Sequence, residues 1–266
     1  MALRLISVNL NGIRSAATKG FFDWAAQSGA DCMGVQEVRA QHEDVAGRFD
    51  TVEGGNAPMR GHFHLAQRKG YSGVGLYARQ EPSDVLTGFG HRAFDAEGRW
   101  VELRFDRPGR RFSVVSCYFP SGSSSEERQA AKFRFLARLY PHLMKLKAER
   151  EFVLVGDVNI AHREIDLKNW RGNLQNSGFL PEERAWLDKL FGKAGLVDVF
   201  RALDPRPEQY TWWSNRGQAR AKNVGWRIEY HIATPAVAAP ARRAEIYTAQ
   251  RFSDHAPLTN DYDWAL

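Results

Sequence analysis

Short apolar runs, each followed by polar residues, recur along most of the chain. Runs of about four to eight residues rich in β-branched and aromatic side chains predict β-strands. The clearest are LRLISVNL (3–10), CMGVQE (32–37), GVGLYAR (73–79), WVELRF (100–105), FSVVSCYF (112–119) and FVLVGDVN (152–159), with weaker strands predicted at 226–233 and 256–263. The runs at 3–10, 112–119 and 152–159 are almost wholly apolar, which is typical of strands buried on both faces.

Three other segments show helical periodicity. A helix is predicted over 126–147, with a kink near Pro141. Its predicted apolar face consists of Ala130, Phe133, Ala137, Tyr140 and Met144. A second predicted helix begins at Pro181 and ends before Gly195, and a third covers 21–28. Helices alternating with strands predict a layered α/β domain.

Composition limits the class of protein. The chain has 266 residues, 43% of them hydrophobic, and no linker-like segment, which predicts one domain over 1–266. No apolar run reaches the roughly 20 residues of a membrane helix, and the N-terminus lacks the layout of a signal peptide. The two cysteines lie in apolar contexts and are expected to be reduced, so a cytoplasmic protein without a membrane partner is expected. The net charge of +6 fits a polyanionic partner without identifying it.

Polar side chains cluster where predicted strands end, which is where layered α/β folds build their sites. Asp157 and Asn159 follow FVLVG and share one face of an extended segment. Each of these residues alone is also compatible with a turn, so the prediction of a functional site depends on the whole set. The candidates are Asn9, Asn11, Glu37, Asp157, Asn159, Asp254 and His255. Oxygen ligands with one imidazole predict Mg²⁺, with Mn²⁺ as a substitute, rather than structural zinc.

The segment YTWWSNRGQARAKNVGWRIEY (210–230) combines cations with tryptophans. Its cations between 215 and 227 are Arg216, Arg220, Lys222 and Arg227, with no acid among them. Cations meet phosphates and aromatic rings meet sugars or unstacked bases, so this segment predicts contact with DNA. A solvated loop with core tryptophans is the alternative interpretation.

Together these motifs resemble the exonuclease III-type apurinic/apyrimidinic (AP) endonucleases of the endonuclease/exonuclease/phosphatase superfamily. The resemblance covers nearly the whole chain through NLNGIRS (9–15), VQE (35–37), YSGVGLYAR (71–79), CYFPSG (117–122), GDVNIAHREIDLKNW (156–170), GNLQNSGFLPEER (172–184), the 210–230 segment and SDHAP (253–257). It implies a four-layered α/β sandwich, with two mostly antiparallel central sheets flanked by helices. It also implies a Mg²⁺-dependent DNA repair enzyme, which we expect to be a monomer. Such an enzyme hydrolyses the phosphodiester 5′ of abasic sites in duplex DNA, with exonuclease or 3′-end trimming as a side activity.

The resemblance also implies residue roles. Glu37 would be the main metal carboxylate, near Asn11, while Asp157 and Asn159 would surround the attacked phosphate and Asp157 would activate water. One metal or two stays open, because Asp157, Asn159 and His255 could hold a second ion, and Asp254 is a further candidate ligand. Tyr118 would reach the same phosphate, either to hold it or to assist the leaving group. The implied DNA contacts are Asn9, Asn173, Asn176, Trp212, Trp226 and Ile228.

His255 would be catalytic and Glu229 would orient it, but the family usually has Asp in place of Glu229. On the sequence alone, Glu229→Asp is expected to keep or raise activity. The nearest alternative is a 3′→5′ exonuclease or 3′-phosphatase with weak AP endonuclease activity. Two remote alternatives are a lipid or inositol phosphodiesterase, disfavoured by the 210–230 segment, and a non-catalytic DNA-binding relative, for which only Glu229 argues.

Overall fold

The computed structural model describes residues 3–266, and most of its strands belong to two sheets that pack face to face. The strands in chain order are β1 Leu3–Asn9, β2 Cys32–Gln36, β3 Thr51–Val52, β4 Met59–His64, β5 Val74–Ala78, β6 Asp84–Thr87, β7 Trp100–Arg104, β8 Phe112–Tyr118, β9 Glu151–Asp157, β10 Val197–Asp198, β11 Trp212–Trp213, β12 Gly225–Trp226, β13 Glu229–Ala233, β14 Ala241–Ile246 and β15 Leu258–Tyr262. The α-helices are α1 Ile13–Thr18, α2 Phe21–Gln27, α3 His42–Val45, α4 Arg92–Asp95, α5 Glu126–Glu149, α6 Pro181–Asp188, α7 Val199–Leu203 and α8 Pro235–Ala238. Short 3₁₀ turns lie at Glu164–Asp166 and Trp170–Asn173, and a π-helical turn, Lys189–Lys193, follows α6.

The two sheets are mixed but mainly antiparallel. One has the order β14-β15-β1-β2-β5-β4-β3 and the other β10-β13-β9-β8-β7-β6, while β11 and β12 form a separate ribbon. Among the described pairs only β1–β2 and β8–β9 are parallel. Apolar residues of β1, β5, β7, β8 and β9 fill the space between the sheets. Helices α1 and α2 pack outside the first sheet and α5 and α6 outside the second, which confirms the predicted sandwich.

The long helix α5 buries a different face from the predicted one. Its buried side chains are Lys132, Phe135, Leu136, Leu139, Leu143 and Leu146. Of the predicted face, Ala130 and Ala137 are exposed and the other residues are only partly buried. Five of these six residues are apolar at helical spacing, so the sequence offers this face as well as the predicted one, and Lys132 is the only member that an apolar count leaves out. The helix also continues through Pro141 to Glu149.

Strand direction brings the polar ends of several strands to one edge of the sandwich. In the parallel pair β8–β9, Tyr118 lies opposite Asp157, and in the antiparallel pair β9–β13, Asp157 lies opposite Glu229. In the other sheet, parallel β1 and β2 set Asn9 opposite Gln36. Within residues 3–266, no helix is long and apolar enough to cross a membrane.

Candidate active site

Asp157, the last residue of β9, is the centre of the site. Its side chain is buried, and its Oδ1 accepts a hydrogen bond from the Asn159 backbone N–H at 2.8 Å. Its Oδ2 accepts from Asn9 Nδ2 at 2.9 Å and from Asn159 Nδ2 at 3.1 Å. Asn159 has a φ of 55°, a conformation that non-glycine residues seldom adopt, and this turn brings its amide back onto Asp157.

The surroundings of Asp157 favour its neutral form. Burial is the largest effect, and the nearby carboxylates of Glu229 and Glu37 add to it, while His255 opposes it. Together they raise the pKa of Asp157 to about 7. A carboxyl group that titrates near neutrality can accept a proton from water at the pH of a cell.

His255 and Glu229 form a buried acid–imidazole pair. Nδ1 of His255 is hydrogen-bonded to Oε1 of Glu229, so the glutamate does reach the imidazole from this position. Burial acts to lower the pKa of His255, but the charge and hydrogen bond of Glu229 outweigh it and raise that pKa to about 10. The imidazole is therefore a cation at neutral pH.

Two hydroxyl groups fix the backbone around this pair. Thr211 Oγ1 accepts from the N–H groups of Ile228 at 3.0 Å and of Glu229 at 3.2 Å. Ser253 Oγ donates to the Asn9 carbonyl at 2.6 Å and accepts from the His255 N–H at 3.0 Å. Sequence reasoning did not select either residue, although Ser253 lies inside the SDHAP motif.

Glu37 and Tyr118 form the second polar pair of the site. The Tyr118 hydroxyl donates to Glu37 Oε1 at 2.5 Å, and Arg39 Nη2 donates to the same oxygen at 3.0 Å. Burial, followed by the charges of Glu37 and Asp157, raises the pKa of Tyr118 well above its usual value. The phenol is thus a proton donor at neutral pH. The guanidinium of Arg99, which no sequence signal marked, lies 5.0 Å from the centre of the Tyr118 ring.

The donor set of this cleft fits a hard divalent cation. One oxygen of Asp157, one of Glu229 and one ring nitrogen of His255 lie within 4.8 Å of one another, but the protonated imidazole offers no lone pair, so the donors for a cation are the carboxylates. Among residues 3–266, Oε2 of Glu229 has no hydrogen-bond partner and is buried behind the cleft, which Glu37 and Asp157 line. Carboxylate oxygens are the preferred ligands of Mg²⁺ and Mn²⁺.

Asn11 and Asp254, two predicted metal ligands, are engaged with other groups. Asn11 Nδ2 donates to Asp254 Oδ1 at 2.7 Å, and Trp212 Nε1 donates to Asp254 Oδ2 at 3.0 Å. Both residues line a neighbouring cavity of about 320 Å³ and not the cleft that Glu37 and Asp157 line. The structure therefore separates these two residues from the other metal candidates.

The cleft itself has a volume of about 720 Å³ and contains most of the predicted site residues. Trp212, Trp226 and Ile228 form an apolar wall, with the two indole rings nearly perpendicular at 6.4 Å. The other predicted residues that line the cleft are Asn9, Glu37, Tyr118, Asp157, Asn159, Asn173, Asn176 and His255. Small residues at 121–125 form part of the rim.

The four predicted DNA-binding cations have unequal positions. Arg216 and Lys222 are exposed, whereas Arg220 is half-buried over the Trp213 ring and donates to the Thr248 carbonyl. Arg227 corrects the prediction: its side chain is fully buried, with Nε 2.8 Å from Asp166 Oδ1 and Nη2 2.7 Å from Asp198 Oδ2. A guanidinium in that position cannot reach a phosphate, and it instead anchors the backbone beside Trp226 and Ile228.

Known nucleases are similar to this chain over most of its length. The model of the endonuclease/exonuclease/phosphatase family matches residues 6–255. An exodeoxyribonuclease of Bacillus subtilis is 34% identical over 96% of this chain and 98% of its own length. The DNA repair nuclease APEX1 of Danio rerio is 33% identical over 97% of this chain and 81% of its own. The structure of an AP endonuclease from Archaeoglobus fulgidus, 25% identical, superimposes with a TM-score of 0.85, covering 98% of this chain and all of that one.

Proposed function

The chain belongs to the endonuclease/exonuclease/phosphatase family, and from this we propose that it is a DNA repair AP endonuclease with an exonuclease side activity. The finer proposal is hydrolysis of the phosphodiester 5′ of an abasic site in duplex DNA, by a monomer acting as one catalytic domain. The observation that carries it is the meeting of Asp157 and His255 in one cleft beside a tryptophan wall, with Glu229 buried behind the imidazole.

The side chains divide the chemistry between them. Asp157 accepts the proton of the attacking water, while Asn9 and Asn159 hold its carboxylate in place. The imidazolium of His255, oriented by Glu229, stabilises charge on a non-bridging phosphoryl oxygen. The protonated hydroxyl of Tyr118 lies where it can serve the same phosphate.

Glu37 is the residue that would hold the metal, Mg²⁺ with Mn²⁺ as a substitute. When bound, the ion supplies Lewis-acid polarisation of the phosphoryl group. Glu37 itself is held by Tyr118 and Arg39.

Shape supplies the selectivity. An abasic nucleotide has no base to unstack, so turning it out of the duplex costs less than flipping an intact nucleotide. The wall of Trp212, Trp226 and Ile228 accepts the bare sugar, and Asn173 and Asn176 contact the adjoining backbone. The exposed Arg216 and Lys222 meet neighbouring phosphates.

A second candidate is 3′-end processing as the main activity on blocked or recessed 3′ ends. The name of the Bacillus subtilis relative favours it, and the small residues at 121–125 leave that side of the cleft open to a strand end.

Two labelled duplexes distinguish the candidates, each incubated with Mg²⁺ and with EDTA. One carries an internal tetrahydrofuran analogue of an abasic site, and the other is undamaged with a recessed 3′ end. A single Mg²⁺-dependent incision 5′ of the analogue is expected. A ladder from the 3′ end with the analogue intact would favour the second candidate, and no cleavage of either duplex would contradict both.

A further inference from the structure

A buried ion pair lies directly behind the cleft, and none of the roles assigned so far uses it. Lys132 of α5 and Glu183 of α6 are both fully buried, with Lys132 Nζ 2.6 Å from Glu183 Oε1. Buried ion pairs are a poor way to stabilise a fold, since losing hydration opposes the attraction of the charges. The other groups that these two side chains contact therefore indicate what the pair does.

Lys132 supports the catalytic turn. Its Nζ donates to the backbone carbonyl of Asn159 at 2.8 Å. Asn159 is the residue whose unusual φ of 55° returns both its N–H and its amide to Asp157. The ammonium thus holds the turn from behind, on the side away from the cleft.

Glu183 supports the opposite wall of the cleft. Its Oε2 accepts from the backbone N–H groups of Gly178 at 2.6 Å and of Leu180 at 3.1 Å. Gly178 packs under Trp226 so closely that a side chain there would lie 3.2 Å from the indole and 3.1 Å from the Asn159 carbonyl. The carboxylate therefore sets the segment on which the sugar-binding wall rests.

Gln129 connects this support to the rim of the cleft. Its Nε2 donates to Glu183 Oε1 at 3.0 Å, and the residue lines the cleft. One carboxylate consequently joins α5, the 178–180 segment and the rim.

The packing of α5 against α6 does not depend on the pair. Trp186 Nε1 donates to the Leu136 carbonyl at 3.0 Å. Apolar side chains of both helices also share one core with β8 and β9. The fold thus has its own means of docking the helices.

We propose that Lys132 and Glu183 are positioning residues that fix the Asp157–Asn159 turn and the Trp226 wall relative to each other. The consequence is a faster chemical step rather than tighter DNA binding. This inference rests on the proposed function, because the chemical step it concerns is the cleavage assigned to that cleft.

The test is single-turnover cleavage of the tetrahydrofuran duplex by Lys132→Met/Glu183→Met. The double change removes both charges and leaves neither buried alone. The measured quantity is the rate constant at saturating enzyme, because partial unfolding lowers only the concentration of active enzyme, and a rate constant at saturation does not depend on that concentration. We expect the rate constant to fall at least about 30-fold. The Kd for the duplex in EDTA should stay within about threefold of that of the wild type.

Arg150→Met is the matched control. Arg150 is a buried cation at the other end of α5 and β9, with its Nη1 2.8 Å from Asp106 Oδ1. It should lower the melting temperature and leave the rate constant unchanged.

Lys132→Arg keeps the test valid if the double variant does not fold. A planar guanidinium keeps the charge but cannot place one compact donor between Glu183 and Asn159. Its rate constant should fall about five- to tenfold with little change in Kd. A wild-type rate constant in a folded variant of either kind would overturn the inference. A wild-type protein that does not incise the duplex would instead overturn the proposed function.

Discussion

Two aspartates flank the imidazole of His255, and their surroundings shift their pKa values in opposite directions. Burial and nearby carboxylates raise the pKa of Asp157 to about 7. Burial also acts to raise the pKa of Asp254, but the charge of His255 and the hydrogen bonds from Asn11 and Trp212 hold it below its usual value. Both carboxylates receive strong donors, so the number of hydrogen bonds does not distinguish them. Deeper burial distinguishes Asp157 first, and the neighbouring acids Glu229 and Glu37 add to it, in agreement with the proposed role of Asp157 as the base and with Asp254 as an anion.

The largest effect should come from removing one aspartate at a time. Asp157→Asn should lower kcat on the abasic duplex by about 10²–10⁴-fold, because a general base is worth that much. Asp254→Asn should lower it by less than about tenfold, because Asp254 positions Trp212 without contacting the reacting atoms. Steady-state cleavage at saturating Mg²⁺ measures both. Equal losses would remove the distinction between the two residues.

The pH dependence of stability should also differ between the two variants. The pKa of Asp157 is higher in the folded than in the unfolded state. The contribution of Asp157 to the free energy of unfolding is therefore greatest below about pH 4 and is lost as pH rises through about 7. Asn cannot ionise. In metal-free protein, the Tm of Asp157→Asn minus that of the wild type should therefore increase by at least about 4 °C from pH 5 to pH 8, a change corresponding to about 1–2 kcal/mol.

Asp254→Asn is the internal comparison for these melting curves. The pKa of Asp254 is lowered in the folded state. Its contribution to the free energy of unfolding is therefore complete above about pH 4 and is lost only as the pH falls below that value. Its Tm deficit should be the same at pH 5 and pH 8. A deficit that grows with pH for Asp254→Asn, or no change for Asp157→Asn, would contradict the assignment.

Glu229 sharpens the comparison because its charge acts on His255 and on Asp157. The hydrogen bond to His255 is made by a glutamate at this backbone position, so Glu229→Asp, which is one methylene shorter, should withdraw the carboxylate and lower kcat by about tenfold. This expectation reverses the one drawn from the sequence. Kinetics at constant Mg²⁺ test it, with Glu229→Gln as the companion variant, and unchanged activity would restore the earlier expectation.

The smallest effect should come from exposed charges far from either aspartate. Arg216→Glu or Lys222→Glu should weaken duplex binding about three- to fivefold and make its salt dependence less steep, because each removes a phosphate contact. Lys145→Glu on the exposed side of α5 is the matched control and should bind normally. If a variant in the 210–230 segment binds the duplex as the control does, the DNA-binding surface lies elsewhere on the protein.

The sequence predicted the parts of this molecule that depend on local pattern or motif. All eight predicted strands exist, because apolar runs that end in polar residues report burial directly. Residues in recognisable motifs, such as Glu37, Asp157, Trp226 and His255, do meet in one cleft.

What the sequence did not predict depends on partners distant along the chain. Lys132 and Arg227 are cations whose burial is decided by Glu183 in one case and by Asp166 and Asp198 in the other. The identity of one residue does not reveal an oppositely charged partner that is distant along the chain. The burial of Lys132 and the structural role of Arg227 therefore lie beyond what the sequence pattern can predict.

The most direct test of the account is the titration of individual carboxyl groups by ¹³C NMR in metal-free protein, with Asp157→Asn and Asp254→Asn used for assignment. The account predicts that the Asp157 carboxyl titrates near pH 7 and that the Asp254 carboxyl titrates below the ordinary aspartate value. An Asp157 carboxyl that is already ionised at pH 5 would contradict its role as the base that is poised for water activation.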